Sequence, residues 1–227
     1  MNPTPHHNAD GINLILGDGI SWMKSQPDAS LDGIVTDPPW GGGPDIQGQD
    51  IWRELISGAS SEAVRVVRPG GKFICWIGIA MLDPCIRSID TRLKYVTSVA
   101  FSKIPPSFRG RLCMGPDAIL IYGVGGHAKP HVRIAAGFLE YASRQKRDTK
   151  HPCARNIRAI RHLIGQWFAP GSTIADPFGG SATTACASAD VGVRCSSVEI
   201  DPAMHESAMV RVSGRTANLF RMELAKR

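Results

Sequence analysis

Residues 173–201 read TIADPFGGSATTACASADVGVRCSSVEID. A short apolar run ends in Asp176, Gly179-Gly180-Ser181 makes a glycine turn, and a run of helical character follows. A second apolar run closes on Glu199, 23 residues after Asp176. Strand, glycine turn and helix in that order let a ligand approach the backbone closely at a helix N-terminus. A carboxylate about 20 residues further on is where such folds hold ribose hydroxyls, so the spacing points to a nucleoside-containing cofactor. No G-x-G-x-x-G and no Walker lysine accompanies the turn. Asp176 would also repel a pyrophosphate and attract an ammonium or sulfonium, which favours a cationic nucleoside over a dinucleotide.

Outward from this stretch, short apolar runs alternate with helix-length segments, the pattern of a mainly parallel sheet with helices on both faces. Candidate strands are Ile12–Leu16, Leu31–Thr36, Lys72–Ile77, Tyr95–Phe101, Ala118–Tyr122, Ser172–Ala175 and Val193–Glu199. Trp52–Val67 and Arg155–Phe168 carry apolar residues at helical spacing. Arg68-Pro69-Gly70-Gly71 and Ala169-Pro170-Gly171 read as helix-ending turns ahead of new strands. Residues 124–150 break the rhythm and read as a small insertion within one domain spanning 1–227, or equally well as a long surface loop.

A second chemical segment is Leu31–Trp40, LDGIVTDPPW. Here too a strand ends in an aspartate, Asp37, where open α/β sheets place their ligands. Pro38 and Pro39 fix φ and remove two amide donors, leaving a rigid turn that only accepts hydrogen bonds. Such a surface suits a ligand bearing an amino group with two hydrogens, and Trp40 offers a flat face for a planar ring. Read alone, the four residues favour a structural strand-to-loop turn.

Composition sets the frame. The chain has 227 residues, with 26 Lys and Arg against 20 Asp and Glu, a length that supports a core without staples. The longest nearly unbroken apolar run, Phe73–Leu82, is about half of what a membrane-spanning helix needs. The start, MNPTPHHNAD, lacks a basic stretch followed by an apolar one, so a cytoplasmic location is expected. Six cysteines without a C-x-x-C pair fit neither a zinc site nor a disulfide framework, and no metal is expected. Of the net charge of +6, four units fall in 124–150, where Lys129, Arg133, Arg144, Lys146, Arg147 and Lys150 face Glu140 and Asp148. Charge so confined suggests a polyanionic partner. His6 and His7 read as part of an inert, unstructured end, and His162 and His205 as structural residues on helices.

Together, TDPPW followed much later by DPFGGSATT and VEID resembles the S-adenosylmethionine-dependent amino-methyltransferases of the DNA adenine-N6 and cytosine-N4 type. With DPPW before DPFGGS, the order is that of the permuted β class. GDGISWM (17–23), VVRPGGKFICW (66–76), PDAILIYG (116–123) and HPCARN (151–156) fall in register with other family segments. The resemblance runs from Asn13 to Val212, interrupted at 124–150. It implies a Rossmann-like methyltransferase fold with a mainly parallel seven-stranded sheet, permuted order and a small basic insertion.

By resemblance, Asp37 and the Pro38 carbonyl would accept hydrogen bonds from the exocyclic amine of a flipped-out base, with Pro39 completing the turn and Trp40 stacking on the base. Asp37, Asp176, Pro177, Phe178, Gly179, Gly180, Ser181 and Thr183 would frame the cofactor, Glu199 and Asp201 its ribose end, and Asp18 its adenine edge. His151 and Arg155 would lie near its methionine carboxylate. Lys103, Arg109, Arg111 and the basic residues of 124–150 would meet the phosphates of double-stranded DNA. Two departures stand out. Ala182 replaces a family glycine, which would crowd the cofactor only if its φ were positive, and the His-Pro segment has Cys153, Arg155 and Asn156 where threonine, lysine and proline are usual. So small a lobe suggests a short target sequence or help from a second subunit, a homodimer included.

The resemblance favours methylation of adenine N6 in DNA, because Asp opens the tetrapeptide where cytosine-N4 members of the family more commonly have Ser. Cytosine-N4 methylation, an RNA adenine methyltransferase and a DNA-binding module without catalysis are the competing readings.

Overall fold

Alternation along the strand Val67–Ile77 shows how the layers form. Phe73, Cys75 and Ile77 are buried on one face of the sheet, and Ile74 and Trp76 on the other. Both faces of a central strand must therefore be covered by helices. The computed structural model describes residues 4–9, 11–39, 46–104, 108–109, 112–113, 116–133, 135–142 and 155–224. The expectations placed on Trp40, Arg111, Arg144, Lys146, Arg147, Lys150 and His151 lie outside the described residues.

The strands are β1 (Thr4–Ala9), β2 (Ile12–Leu16), β3 (Leu31–Thr36), β4 (Val67–Ile77), β5 (Lys94–Ile104), β6 (Phe108–Arg109), β7 (Leu112–Cys113), β8 (Asp117–Gly123), β9 (Phe138–Ala142), β10 (Thr173–Asp176) and β11 (Arg194–Glu199). The helices are α1 (Gly19–Ser25), α2 (Ile46–Val66), α3 (Leu82–Ser88), α4 (Ile157–Trp167), α5 (Thr183–Asp190) and α6 (Pro202–Leu224), with a short 3-10 turn at Ile79–Met81. Nine strands form one sheet in the order β1-β2-β11-β10-β3-β4-β8-β5-β9, and β6 pairs with β7. Within that sheet, β1 and β8 run against the other strands.

All seven expected strands are present and form the centre of the sheet, from β2 to β5. Two edge strands are added. The end expected to be unstructured, with His6 and His7, pairs antiparallel with β2 as β1. Residues 138–142 of the expected insertion pair in parallel with β5 as β9. Both are short segments whose backbone groups gain partners only because an open sheet edge lies beside them. Arg68-Pro69-Gly70-Gly71 makes a bulge within β4 rather than a turn ahead of it: Leu31 pairs with Val67, and Gly33 already with Lys72.

The α4 face carries Ile160, Leu163, Ile164 and Trp167, with α5 and α6 beside them, over Ile12, Leu14, Ile74 and Trp76. The other face packs α1, α2 and α3 on Ile34, Phe73, Cys75 and Leu120. Gly33 permits the first packing, since a Cβ there would lie 2.6 Å from the Phe168 ring. Fully burying side chains of this size contributes about 1.5–3 kcal/mol each. No helix among the described residues is long and apolar enough to cross a membrane.

Candidate active site

The parallel strands end together, and the chain sets an acidic residue at or just after four of those ends: Asp18 after β2, Asp37 after β3, Asp176 on β10 and Glu199 on β11. They border a cavity of about 700 Å³, a volume within the range of small-molecule sites. The cavity brings together Asp18, Asp37, Pro38, Pro39, Arg155, Asp176, Pro177, Phe178, Gly179, Gly180, Ser181, Thr183, Glu199 and Asp201. Val35, Ile74, Trp76, Ile119, Ile160 and Leu163 supply apolar wall.

Asp176 is the buried charge of the site, 2% exposed. Its Oδ1 accepts hydrogen bonds from the Thr36 hydroxyl (2.8 Å) and the Phe178 amide (3.1 Å). Burial outweighs these bonds and one from Thr184, pushing the carboxyl up to about 6, with a further push from neighbouring Asp37. Among the described residues no cationic side chain is seen to offset it, and a carboxylate so buried would suit a cationic ligand.

Glu199 holds the loop in shape: its Oε2 accepts from the Gly180 amide at 2.7 Å and its Oε1 from the Asp201 amide at 2.8 Å. Gly179 is pressed against β11, where a Cβ would fall 2.2 Å from Ser197 Oγ. At Gly180, with φ +49°, a Cβ would meet nothing within 4 Å. Asp18 caps α1 by accepting from the Ser21 amide at 2.7 Å, and Asp201 caps the start of α6 through the Ala203 amide at 2.8 Å.

Ala182 has φ +57°, the condition under which its methyl could have crowded a ligand. The side chain is fully buried in the α4–α5–α6 core and does not line the cavity. Left-handed backbone costs an L-residue about 1–2 kcal/mol, and a buried methyl returns about 0.8 kcal/mol. Glycine would relieve the strain but lose the methyl and about 0.4–1 kcal/mol of unfolded-state entropy. Ala182→Gly is therefore expected to leave stability within about 1 kcal/mol and cofactor affinity within about twofold. Urea denaturation and calorimetry check both, and a large gain in affinity would show that the methyl does obstruct the site.

Arg155, expected beside a cofactor carboxylate, is committed to two protein carboxylates. Its Nε and Nη2 donate to Asp37 Oδ2 and Oδ1 at 2.6 and 2.8 Å, and its Nη1 donates to Asp117 Oδ2 at 2.9 Å. The guanidinium lies over the Trp76 ring, 5.3 Å from its centroid, and Trp76 Nε1 donates to the same Asp117 oxygen at 3.1 Å. Sequence reasoning does not reach Asp117 or Trp76 as site residues. Nor does it reach Arg211 on α6, which donates to the Ser181 carbonyl (2.7 Å) and the Thr183 hydroxyl (2.9 Å) from behind the loop.

The basic residues divide. Strand β8 runs away from the cavity edge, so Val124–Arg133 emerges at the opposite edge. There the Gly70 amide donates to the Val124 carbonyl (2.8 Å), and the His131 amide to the Gln166 carbonyl (2.7 Å) in the last turn of α4. Lys129 and Arg133, both exposed, do not join the site. Any contact of Lys129 and Arg133 with DNA phosphates would fall on that opposite edge. The backbone of Lys103, by contrast, lies at the end of β5, on the cavity edge, and Arg109 lies in β6.

An open, largely parallel sheet with a glycine loop between an aspartate and a glutamate, and a cavity lined by carboxylates, defines a nucleoside-cofactor enzyme with the methyltransferase fold. The chain belongs to the DNA methylase family: the family's sequence profile matches residues 31–210. The family comprises N6- and N4-acting DNA methyltransferases that use S-adenosyl-L-methionine. The YubD protein of Escherichia coli (strain K12), which carries the name of a methylase, is 24% identical over 208 residues, 88% of this chain and 89% of that protein. Among solved structures, the cytosine-N4-specific PvuII DNA methyltransferase superposes with a TM-score of 0.79 at 17% identity, over 92% of this chain and 89% of that one. The M1.HpyAVI–SAM complex gives 0.71 at 18% identity, over 88% and 98%. TTHA0409 of Thermus thermophilus complexed with S-adenosyl-L-methionine gives 0.69 at 20% identity, over 88% and 92%. These likenesses bear out the fold.

Proposed function

We propose that this DNA methyltransferase acts on the exocyclic N6 of adenine in double-stranded DNA. The observation that carries this reading is the Asp37 carboxylate on the cavity wall, followed by the donor-free Pro38-Pro39 turn. A carboxylate and a carbonyl together accept both hydrogens of an amine, whereas the Ser of many cytosine-N4 members offers a neutral hydroxyl.

S-adenosyl-L-methionine supplies an electrophilic methyl group on a sulfonium. The residues present fit it, since Arg155 is the only cation among the described lining residues, against five carboxylates and a loop opened by Gly180. Asp176 would face the cationic part of the cofactor, and Asp18, Pro177, Phe178, Gly179, Gly180, Ser181, Thr183, Glu199 and Asp201 would enclose the rest. Asp37 and the Pro38 carbonyl draw the nitrogen lone pair out of ring conjugation and fix its direction. Asp37 also takes the proton that the nitrogen sheds as the N–C bond forms. Positioning of this kind supplies most of the acceleration in a direct displacement. The target base must leave the duplex stack to reach Asp37. Lys103, at the cavity-edge end of β5, and Arg109 in β6 are the proposed phosphate contacts.

The test is incubation of the protein with S-adenosyl-L-methionine and unmethylated duplex DNA, with an RNA control, followed by nucleoside mass spectrometry. N6-methyladenine in DNA is expected. N4-methylcytosine would keep the mechanism and overturn the choice of base, and product in RNA alone would overturn the substrate.

A further inference from the structure

Both oxygens of Asp37 face the guanidinium of Arg155, and that guanidinium is anchored on its other side by Asp117. Asp117 starts β8, the strand beside β4, and also receives the Trp76 indole N–H. Arg155 thus lies between two carboxylates and over an aromatic ring, 15% exposed. Asp117 does not line the cavity, whereas Asp37, Arg155 and Trp76 do.

A carboxylate on a short side chain turns easily about its last torsion, which is broad and two-fold. A fork of two parallel N–H groups removes that freedom, because it fixes the plane of the carboxylate and takes one lone-pair site on each oxygen. The remaining sites then have a set direction. The fork can do this only if it is itself held, and of the contacts on Arg155 given above Asp117 is the one that is both charged and outside the cavity. We propose that Asp117 is a positioning residue for methyl transfer: through Arg155 it fixes the orientation in which Asp37 accepts the target amine. This rests on the reading of Asp37 as amine acceptor.

The consequence is a split between turnover and binding. With Asp117→Ala, Arg155 keeps its bonds to Asp37 but loses its anchor, so kcat should fall about 10–100-fold, the range that small misplacements cost. KM for S-adenosyl-L-methionine should stay within about twofold. Asp117→Asn retains an acceptor of the same shape and should recover most of the loss. Arg155→Lys cannot form the fork, and should lower kcat at least as far as Asp117→Ala does. Asp37→Asn cannot accept at both atoms, and Asp117→Ala added to it should cause little further loss. Trp76→Phe keeps the ring and removes the N–H, and should give a milder fall in kcat.

Steady-state kinetics on full-length protein, with thermal unfolding of each variant, decide the matter. If Asp37→Asn keeps wild-type turnover, the reading of Asp37 itself fails. If Asp37→Asn falls while folded Asp117→Ala keeps wild-type kcat, that reading stands and the positioning role is overturned. Equal losses in kcat and in cofactor affinity, or losses of Asp37→Asn and Asp117→Ala that multiply in the double variant, would also overturn it, since a merely structural residue behaves so. Should Asp117→Ala not fold, Asp117→Asn, Arg155→Lys and Trp76→Phe carry the same comparison.

Discussion

Asp37→Ala is expected to reduce methyl transfer about a thousandfold, the scale associated with removing a group that orients and deprotonates the reacting atom. The variant loses the acceptor for the amine and the site that takes the departing proton. It also leaves Arg155 facing the gap, held by its bond to Asp117. Breaking one side of a partly buried charged pair costs about 2 kcal/mol, or about 4–8 °C in melting temperature for a domain of this size. Loss of activity must therefore be read on protein shown to be folded below that lower midpoint. S-adenosyl-L-methionine should still bind by calorimetry, because the glycine loop, Asp176 and Glu199 are untouched. Turnover within tenfold of wild type would remove Asp37 from the mechanism.

Asp176→Asn should separate stability from function in opposite directions. The folded protein holds this carboxyl at about 6, against 3.8 for an ordinary aspartate. Because the folded state binds the proton more tightly than the unfolded chain, stability falls as pH rises from about 4 to 6. Above about pH 6 the full cost of the buried charge is present. A displacement of that size corresponds to about 3 kcal/mol as an upper bound. Asparagine keeps an oxygen for the Thr36 hydroxyl and the Phe178 amide, and the Thr184 hydroxyl can turn to accept from the new amide. The variant should therefore gain about 2 kcal/mol at pH 8 and almost nothing at pH 4, as read by urea denaturation. Its affinity for S-adenosyl-L-methionine should fall about 10–100-fold, the worth of a charge-assisted contact. Wild-type affinity should likewise weaken as pH drops below 6. A variant that is less stable at pH 8, or that binds cofactor normally, would show that the charge of Asp176 is not kept for the cofactor.

The site was legible in the sequence wherever chemistry and chain direction coincide. Strands ending in Asp37, Asp176 and Glu199 must place those residues at one edge of a parallel sheet, and the cavity there collects Asp18, the glycine loop and the proline turn as well. The seven central strands were legible because runs such as Phe73–Ile77 are short, continuously apolar and bounded by turn residues, as strands buried on both faces are. The edge strands were not. Thr4–Ala9 has no apolar pattern of its own and pairs only because β2 lies beside it. Nor did the charge run show where it would lie, because Lys129 and Arg133 share a composition with their neighbours but follow a strand that carries them to the far edge.

What the sequence by itself determined is the kind of sheet and the edge at which its acidic residues, glycine loop and proline turn gather, because periodicity and strand ends are local properties of the chain. What only the tertiary structure decided is how those residues are held. Arg155 meets Asp37 across 118 positions and Asp117 across 38. Thr36 meets Asp176 across 140, and Arg211 meets Ser181 across 30. Such pairings depend on which strands become neighbours and which helices cover them, and that is settled by burying both faces of the sheet at once rather than by any one segment.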